Sequence, residues 1–420
     1  MNIMMMSNVY TPFVGGVRRS VETLTSELRK KGHRVLIVTP DFEKEPPDEP
    51  DVIRVPAIHH YNGSEFSVQI PLPGLLHAAL KNFTPDIIHS HHPFMLGDTA
   101  LRISAEFDTP IVFTHHTFYE NYTHYVKKNS SLLKTFIKTL ATEYANLCNL
   151  VIAPSKSVAD TLHKRGVSSP MKILPTGIDI DAFRTGNRRL IRTKYAIPDE
   201  AFVLGFVSRI APEKNIRFLS AAIKDVMRGE PRAYFLVVGN GPSVPALGNY
   251  FSRHGLSSRL VMTGILQGQE LIDAYHAMDL FVFASQTETQ GLVLVEAMAS
   301  GIPVVAVEGP AIKDVIVDFK NGRIVSDKVA HFINACNWYI RLNDSKQKQI
   351  IRAAVATAQI FSKEYYGRSV LNEYQQLINN KPAIKSKTPW QKIKKTAVIE
   401  FELLKIFAKA MEVAIRCEHI

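Results

Sequence analysis

Short apolar runs alternate with amphipathic stretches along the chain, and the alternation then begins again. Strand-like runs occur at Ile3–Met6, Val35–Val38, Ile87–His89, Ile111–Thr114 and Leu150–Ala153. Between them, Val17–Lys31, Leu72–Lys81 and Leu132–Leu147 place apolar residues three and four apart, the helical period. A second set of runs follows at Val203–Val207, Ala233–Val238, Leu260–Thr263, Leu280–Ala284 and Val304–Val307. Strands that alternate with helices must cross over to pair, so each set predicts a parallel, doubly wound α/β sheet. A chain of 420 residues exceeds one ordinary core and suits two such domains. The Pro, Gly and Asp of LPTGIDIDAF, residues 174–183, suit the crossover between them. The expected division is residues 1–177 and 178–362, two Rossmann-like domains facing across a cleft. Ligands of such sheets bind at the carboxyl ends of the strands. Lys363–Ile378 reads as a last globular helix, and residues 383–420 as a basic amphipathic tail.

The richest segment is SQTETQGLVLVEAMASGIPVVA, residues 285–306. It reads as a loop, a helix opened by Gly291, a turn at Ser300-Gly301 and a strand. Glu288 falls in the loop and Glu296 on the second helical turn. The amides of Thr289, Gln290 and Gly291 open the helix, where the dipole favours an anion such as phosphate. A carboxylate also accepts hydrogen bonds from two neighbouring hydroxyls, as a ribose or sugar ring offers. An acidic cap with a surface glutamate would give the same spacing. In GFVSRIAPEKN, residues 205–215, Arg209 and Lys214 follow a strand within one loop. Two cations there suit a diphosphate, though a solvated basic loop reads alike. In TPFVGGV, residues 11–17, Gly15 and Gly16 bring backbone amides near a ligand or make an ordinary turn.

A fourth cluster, FTHHTFYENYTHY at residues 113–125, crowds His115, His116, Tyr119, Tyr122, His124 and Tyr125 into one loop, and His91 and His92 end the preceding strand region. The carboxylate or cysteine partners of a metal site are missing at recognisable spacing, so polar contacts to a sugar or acceptor are favoured over a metal. VVGNGPSV, residues 237–244, lacks the third small residue of a dinucleotide fingerprint. Asp179 and Asp181 have a metal-binding Asp-x-Asp form, but their place in the crossover suits a helix cap or turn.

Together these motifs resemble the family 4 retaining glycosyltransferases of the GT-B fold. The family pattern of an early Gly-Gly loop, an Arg and a Lys after the first strand of the second domain, and Glu-x7-Glu is met by Gly15-Gly16, Arg209 with Lys214, and Glu288 with Glu296 over about residues 1–375. The resemblance implies that Arg209 and Lys214 bind the donor diphosphate, Glu296 the ribose and Glu288 the transferred sugar. It further implies that the amides of Gln290, Gly291 and Leu292 contact sugar or phosphate, and that Gly16 covers the phosphates from the first domain. His116 would face the anomeric centre through the sugar 6-hydroxyl or the acceptor. Such enzymes retain configuration, which suits front-side attack, and need no metal or other cofactor. The helix near 363–380 would return to the first domain. THHTFYENYTHYV and HSHHPFMLG are similar to segments of bacterial 1,2-diacylglycerol 3-glucosyltransferases, which make membrane glycolipids from UDP-glucose at the cytoplasmic surface. Phosphatidylinositol, a soluble or polysaccharide sugar, or a silent nucleotide-sugar or polyanion-binding role stand as alternatives.

Charge bears on the acceptor. The net charge is +11, and the last 40 residues hold nine basic and four acidic side chains while the first 180 are near balance. An anionic partner is implied, and without a base-stacking motif or concentrated groove charge a membrane surface is favoured over nucleic acid. Lys127 and Lys128, with Tyr119, Tyr122, His124 and Tyr125, mark the acceptor or membrane side. Lys134 and Lys138 flank an apolar face of Leu133, Phe136, Ile137, Leu140 and Tyr144 that suits either a membrane interface or the protein's own sheet. The tail repeats Trp390, Ile393, Ala397, Phe401, Leu404, Ala408, Met411 and Ile415 at three- and four-residue steps. Membrane docking, a dimerising coiled coil and packing on the protein's own body all fit that stripe. Three unpaired cysteines indicate a reducing compartment, and MNIMMMSNVY reads as a strand and not a signal peptide. No apolar run reaches the roughly 18 residues of a bilayer span. The resulting expectation is a cytoplasmic protein, peripheral on the inner face of the membrane.

Overall fold

The computed structural model describes residues 1–13, 15–43, 45–46, 49–59, 68–69, 76, 80, 82–121, 130–380 and 389–418, without the side chains of 68–69, 389–393 and 418. The chain divides into two compact units, Met1–Gly177 with Glu364–Ile420, and Ile178–Lys363.

The first unit holds β1 (Asn2–Met6), β2 (Arg34–Pro40), β3 (Val52–Val55), a small antiparallel pair β4 (Ala57–Ile58) and β5 (Val68–Gln69), β6 (Ile87–Ser90), β7 (Ile111–Thr114), β8 (Leu150–Ala153) and β9 (Met171–Ile173). Its main sheet is parallel in the order β3-β2-β1-β6-β7-β8-β9. Strand side chains alternate between faces, so β1 serves two cores at once. Ile3 and Met5 join Val35, Ile37, Val112 and Ile152 on one face. Met4 and Met6 join Leu36, Val38, Phe113 and Val151 on the other. A strand covered on both faces reads as an unbroken apolar run, which is why the central strands stand out in the sequence. The edge strands β3 and β9 do not, because their half-exposed positions admit charge, as where Met171 is half-buried and Lys172 and Ile173 are exposed.

The Gly16–Lys30 helix covers the Ile3 face together with the Lys363–Asn379 helix, through Tyr366, Val370, Leu371 and Tyr374. Polar bonds pin this late helix: the Tyr374 hydroxyl lies 2.5 Å from His89 Nδ1, and Ser20 Oγ lies 2.9 Å from Thr176 Oγ1 and 3.4 Å from the Tyr366 hydroxyl. Of the helical reading Leu72–Lys81, only Leu76 and Leu80 are described, both buried, and the rest lies outside the described residues.

The Pro389–Glu418 helix packs along the Ser131–Asn146 and Leu96–Phe107 helices of the same unit. Arg102 grips Glu400 with two bonds of 2.6 and 3.1 Å, Lys409 pairs with Glu143 at 2.7 Å, and Lys395 pairs with Asp108. The apolar face of Ser131–Asn146 therefore meets a helix that sequence periodicity treated separately: Phe136 lies edge-on to Phe407 at 5.2 Å.

The second unit holds β10 (Phe202–Val207), β11 (Ala233–Val238), β12 (Leu260–Gly264), β13 (Leu280–Phe283), β14 (Val304–Val307) and β15 (Gly322–Val325). They form a parallel sheet in the order β12-β11-β10-β13-β14-β15. In each unit the winding direction reverses once, between β1 and β6 and between β10 and β13. Asp179 caps the short Ile180–Phe183 helix, accepting from the Ala182 amide at 3.1 Å, and pairs with Lys363, so it has a structural task.

Tyr374→Phe removes a buried partner of His89 Nδ1. A loss of about 1–3 kcal/mol of unfolding free energy is expected in urea titration, and an unchanged midpoint would contradict this account of how the late helix is held.

Candidate active site

In the second unit, the loops after β10 and β13 lie side by side because those strands pair directly, Leu204 opposite Leu280 and Gly205 opposite Phe281. This is the reversal point, where parallel sheets open a crevice at the strand ends. The loop after β10 carries Arg209, half-buried, and Lys214 in the short turn Pro212–Lys214. The loop after β13 carries Glu288. Lys214 Nζ forms an ion pair with Glu288 Oε1, with only 14% and 19% of the two side chains exposed. Ser285 Oγ reaches the Glu213 carbonyl at 3.4 Å, a second tie between the loops.

A third loop seats Arg209 from the other side. The Ser208 amide donates to the Val238 carbonyl at 3.1 Å, Ile210 to Asn240 at 2.9 Å, and Ser243 to Ile210 at 2.9 Å. This approach requires Gly239 and Gly241, whose φ values are +135° and +156°. A Cβ on Gly239 would fall 1.9 Å from the Ser208 carbonyl oxygen, and one on Gly241 2.4 Å from that of Ile210. The glycines of VVGNGPSV thus support the backbone on both sides of Arg209.

Gly291 opens the Leu292–Ala299 helix in a left-handed conformation at φ +71°, with no side-chain cap and no acidic residue in the first turn. Such an end offers amides and the positive pole of the helix dipole to an anion. Gln290 is 7% exposed and Leu292 half-buried beside it. Glu296 is 1% exposed, and Tyr275 from the Gly268–Ala277 helix donates its hydroxyl to Glu296 Oε2 at 2.7 Å. Glu296 is therefore a fixed acceptor, not a solvated surface glutamate. Glu288 and Glu296 thus occupy different settings, one paired with a lysine and one clamped by a phenol.

In the first unit, Gly16 opens the Gly16–Lys30 helix beyond β1, also without an acidic first turn. The ends of β6 and β7 bring the imidazoles together. His91 Nδ1 lies 2.9 Å from His116 Nε2, His91 Nε2 faces the Met5 sulfur at 3.4 Å, and His89 stacks on His91 at 4.2 Å. His92 Nδ1 accepts from the Asn8 amide at 3.1 Å. Tyr119 donates to the His91 carbonyl at 3.4 Å and lies edge-on to Phe94 at 5.1 Å. Burial, then neighbouring imidazoles, hold His91 and His116 well below the ordinary histidine range. Burial lowers His89, His92 and His115 to about 3. His116 is accordingly a neutral hydrogen-bonding group near neutral pH. Tyr122, His124, Tyr125, Lys127 and Lys128 lie outside the described residues. Among the described residues no group of three His, Cys, Asp or Glu side chains is placed to hold a metal ion.

Sequence reading passed over Tyr275, because nothing near it marks a partner 21 positions later. It also set aside Gly239 and Gly241, whose left-over glycine signal belonged to a backbone approach and not to a nucleotide fingerprint. Gly239→Ala should displace the Arg209 loop and lower turnover about 10²-fold with an unchanged far-UV spectrum, and wild-type turnover would refute that support role. The imidazole cluster predicts acid sensitivity. Below the ordinary pKa of 6.5 the unfolded chain takes up protons that the folded cluster refuses. Stability is then complete above that pH and declines as pH falls toward 3. Melting temperature should drop from pH 8 to pH 5, less steeply in His92→Gln, and a flat profile would count against it.

Residues 14–182 match the family described as Glycosyltransferase Family 4, and residues 187–356 match glycosyl transferases group 1. The chain is 32% identical over 333 residues to an alpha-monoglucosyldiacylglycerol synthase of Streptococcus pneumoniae, covering 76% of this chain and 74% of that protein. It is 29% identical over 402 residues to the protein of the same name from Acholeplasma laidlawii, covering 91% and 99%. Anabaena HepE, crystallised with UDP and glucose, superposes with a TM-score of 0.72 at 21% identity, over 90% of this chain and 100% of that one. Two parallel Rossmann-like sheets, each with its motifs at the strand ends, and matches that run through both of them lead to one assignment: this chain belongs to glycosyltransferase family 4 and has the GT-B fold.

Proposed function

We propose that this glycosyltransferase moves glucose from UDP-glucose to diacylglycerol with retention of anomeric configuration, working as a peripheral protein on the inner face of the cell membrane. The observation that carries the donor half is the Lys214–Glu288 pair beside the uncapped Leu292–Ala299 helix. A cation for a diphosphate and a carboxylate for sugar hydroxyls stand in contact there, so phosphate and hexose can be gripped at adjoining points. The names of the Streptococcus and Acholeplasma relatives support the acceptor half.

In this reading Arg209 and Lys214 bind the diphosphate, with the amides of Gln290, Gly291 and Leu292 completing the grip. Glu296, held by Tyr275, accepts the ribose hydroxyls, and Glu288 accepts those of the glucose. Gly16 is assigned to the donor phosphates. His116, neutral and held by His91, takes the sugar 6-hydroxyl. Tyr119 belongs to the acceptor side, as do Tyr122, His124, Tyr125, Lys127 and Lys128. The bond from the anomeric carbon to the β-phosphate oxygen breaks, and UDP leaves with the electron pair. The acceptor hydroxyl attacks from the same face and passes its proton to the departing phosphate oxygen. Arg209 and Lys214 stabilise the growing negative charge, the role that preorganised cations fill best in a water-poor site. No resident metal is invoked.

Purified protein supplied with UDP-glucose and diacylglycerol should yield an α-linked monoglucosyl product by mass and anomeric analysis. Glu288→Gln and Lys214→Ala should each lower kcat at least about 10²-fold. Product from a soluble sugar but none from diacylglycerol would reject the acceptor, preference for GDP-mannose would reject the donor, and full activity in both variants would reject the site.

A further inference from the structure

The Pro389–Glu418 helix has two apolar faces, and the first unit covers only one. Ile406, Ala410 and Ala414 are buried, and Ile399 and Leu403 pack on the core of that unit. The face that sequence periodicity singled out is the other one. Phe401 is 65% exposed and Leu404 69%, with Met411 and Ile415 also exposed along the same side and Val398 exposed on its flank. Docking on the protein's own body therefore does not consume the stripe. It holds the stripe outward, on a helix clamped by Arg102–Glu400, Lys395–Asp108 and Lys409–Glu143.

We infer that this outward face seats the protein on an anionic bilayer surface, an inference that deepens the lipid-acceptor reading and rests on it. The exposed row from Phe401 to Ile415 runs about 21 Å along the helix at roughly 1.5 Å per residue. Lys394, Lys405 and Arg416 recur every eleven residues and so share one side of it. The Ser131–Asn146 helix beside it exposes Lys134 and Lys138. Glu402 and Glu412 accompany Lys405 and Arg416, yet the last 40 residues remain basic, nine against four. Large apolar side chains bordered by cations form the pattern of a helix lying in an interface with anionic headgroups. Among the described residues no helix is long and apolar enough to cross a membrane, so this one lies on the surface and does not span.

The test is the full chain with Phe401→Ser, Leu404→Ser and Met411→Ser combined. Cosedimentation uses vesicles of phosphatidylglycerol and phosphatidylcholine, with and without diacylglycerol, and turnover is read separately with diacylglycerol in detergent micelles. The wild type should bind anionic vesicles in a salt-sensitive manner. The triple variant should bind at least about tenfold less, with the wild-type melting temperature and micellar turnover within about twofold. Equal vesicle binding by both proteins, no binding by the wild type, or a stripe-dependent dimer in analytical ultracentrifugation without vesicle binding would overturn the inference. Stripe-dependent vesicle binding without glycolipid synthesis would uphold this surface and remove the diacylglycerol reading.

Discussion

The contact between Lys214 and Glu288 depends on a single topological fact, that β10 and β13 are neighbours although two strands intervene in sequence. Winding starts at β10, moves outward through β11 to β12, and returns to the other side at β13. Only at that return do two loops leave the same end of the sheet without a crossover between them. The loop after β11 then closes in through Gly239 and Gly241, so the backbone on both sides of Arg209, at Ser208 and Ile210, is held by hydrogen bonds to one neighbour while Lys214 is held by a carboxylate from the other. The largely enclosed position of the ion pair gives it weight, since opposite charges attract more strongly where water is excluded.

The first unit uses the same device with different chemistry. Reversal between β1 and β6 places the loop leading to Gly16 beside the histidines that follow β6, and β7 adds His115 and His116. Packing the imidazoles against one another and against Met5 favours their neutral forms. The cluster is polar enough to orient hydroxyls and carries no charge of its own near neutral pH. The late Lys363–Asn379 helix reaches this layer through Tyr374 and His89, so a segment from the far end of the chain helps to order it.

Much of this was legible in the sequence because the information is local. Central parallel strands are buried on both faces, so Ile111–Thr114 and Leu150–Ala153 appear as unbroken apolar runs with the bounds they adopt in the fold. Gly291 and the glutamates around it announce a helix start through residue type alone. The edge strands β3, β9 and β15 were not legible, since half-exposed positions tolerate charge, whereas the edge strand β12 keeps an apolar run and reads as Leu260–Thr263. Tyr275, Gly239 and Gly241 escaped for another reason: each acts on a group that is distant in sequence, and no local pattern marks such a partner.

The tail shows the division most clearly. Sequence periodicity by itself established a helix with an apolar stripe at Phe401, Leu404, Met411 and Ile415 and a basic surround. It could not assign the stripe to the inside or the outside, because helical period reports which residues share a face and not what that face meets. Tertiary structure decided it. Ile399, Leu403, Ile406, Ala410 and Ala414 form a second face that fits the Leu96–Phe107 and Ser131–Asn146 helices, and three ion pairs fix that orientation. The donor-side motifs divide in the same way. Residue types and order were enough to place the chain among two-domain glycosyltransferases, whereas the pairing of Lys214 with Glu288 and of Tyr275 with Glu296 exists only because parallel winding brings separate loops and helices to one end of a sheet.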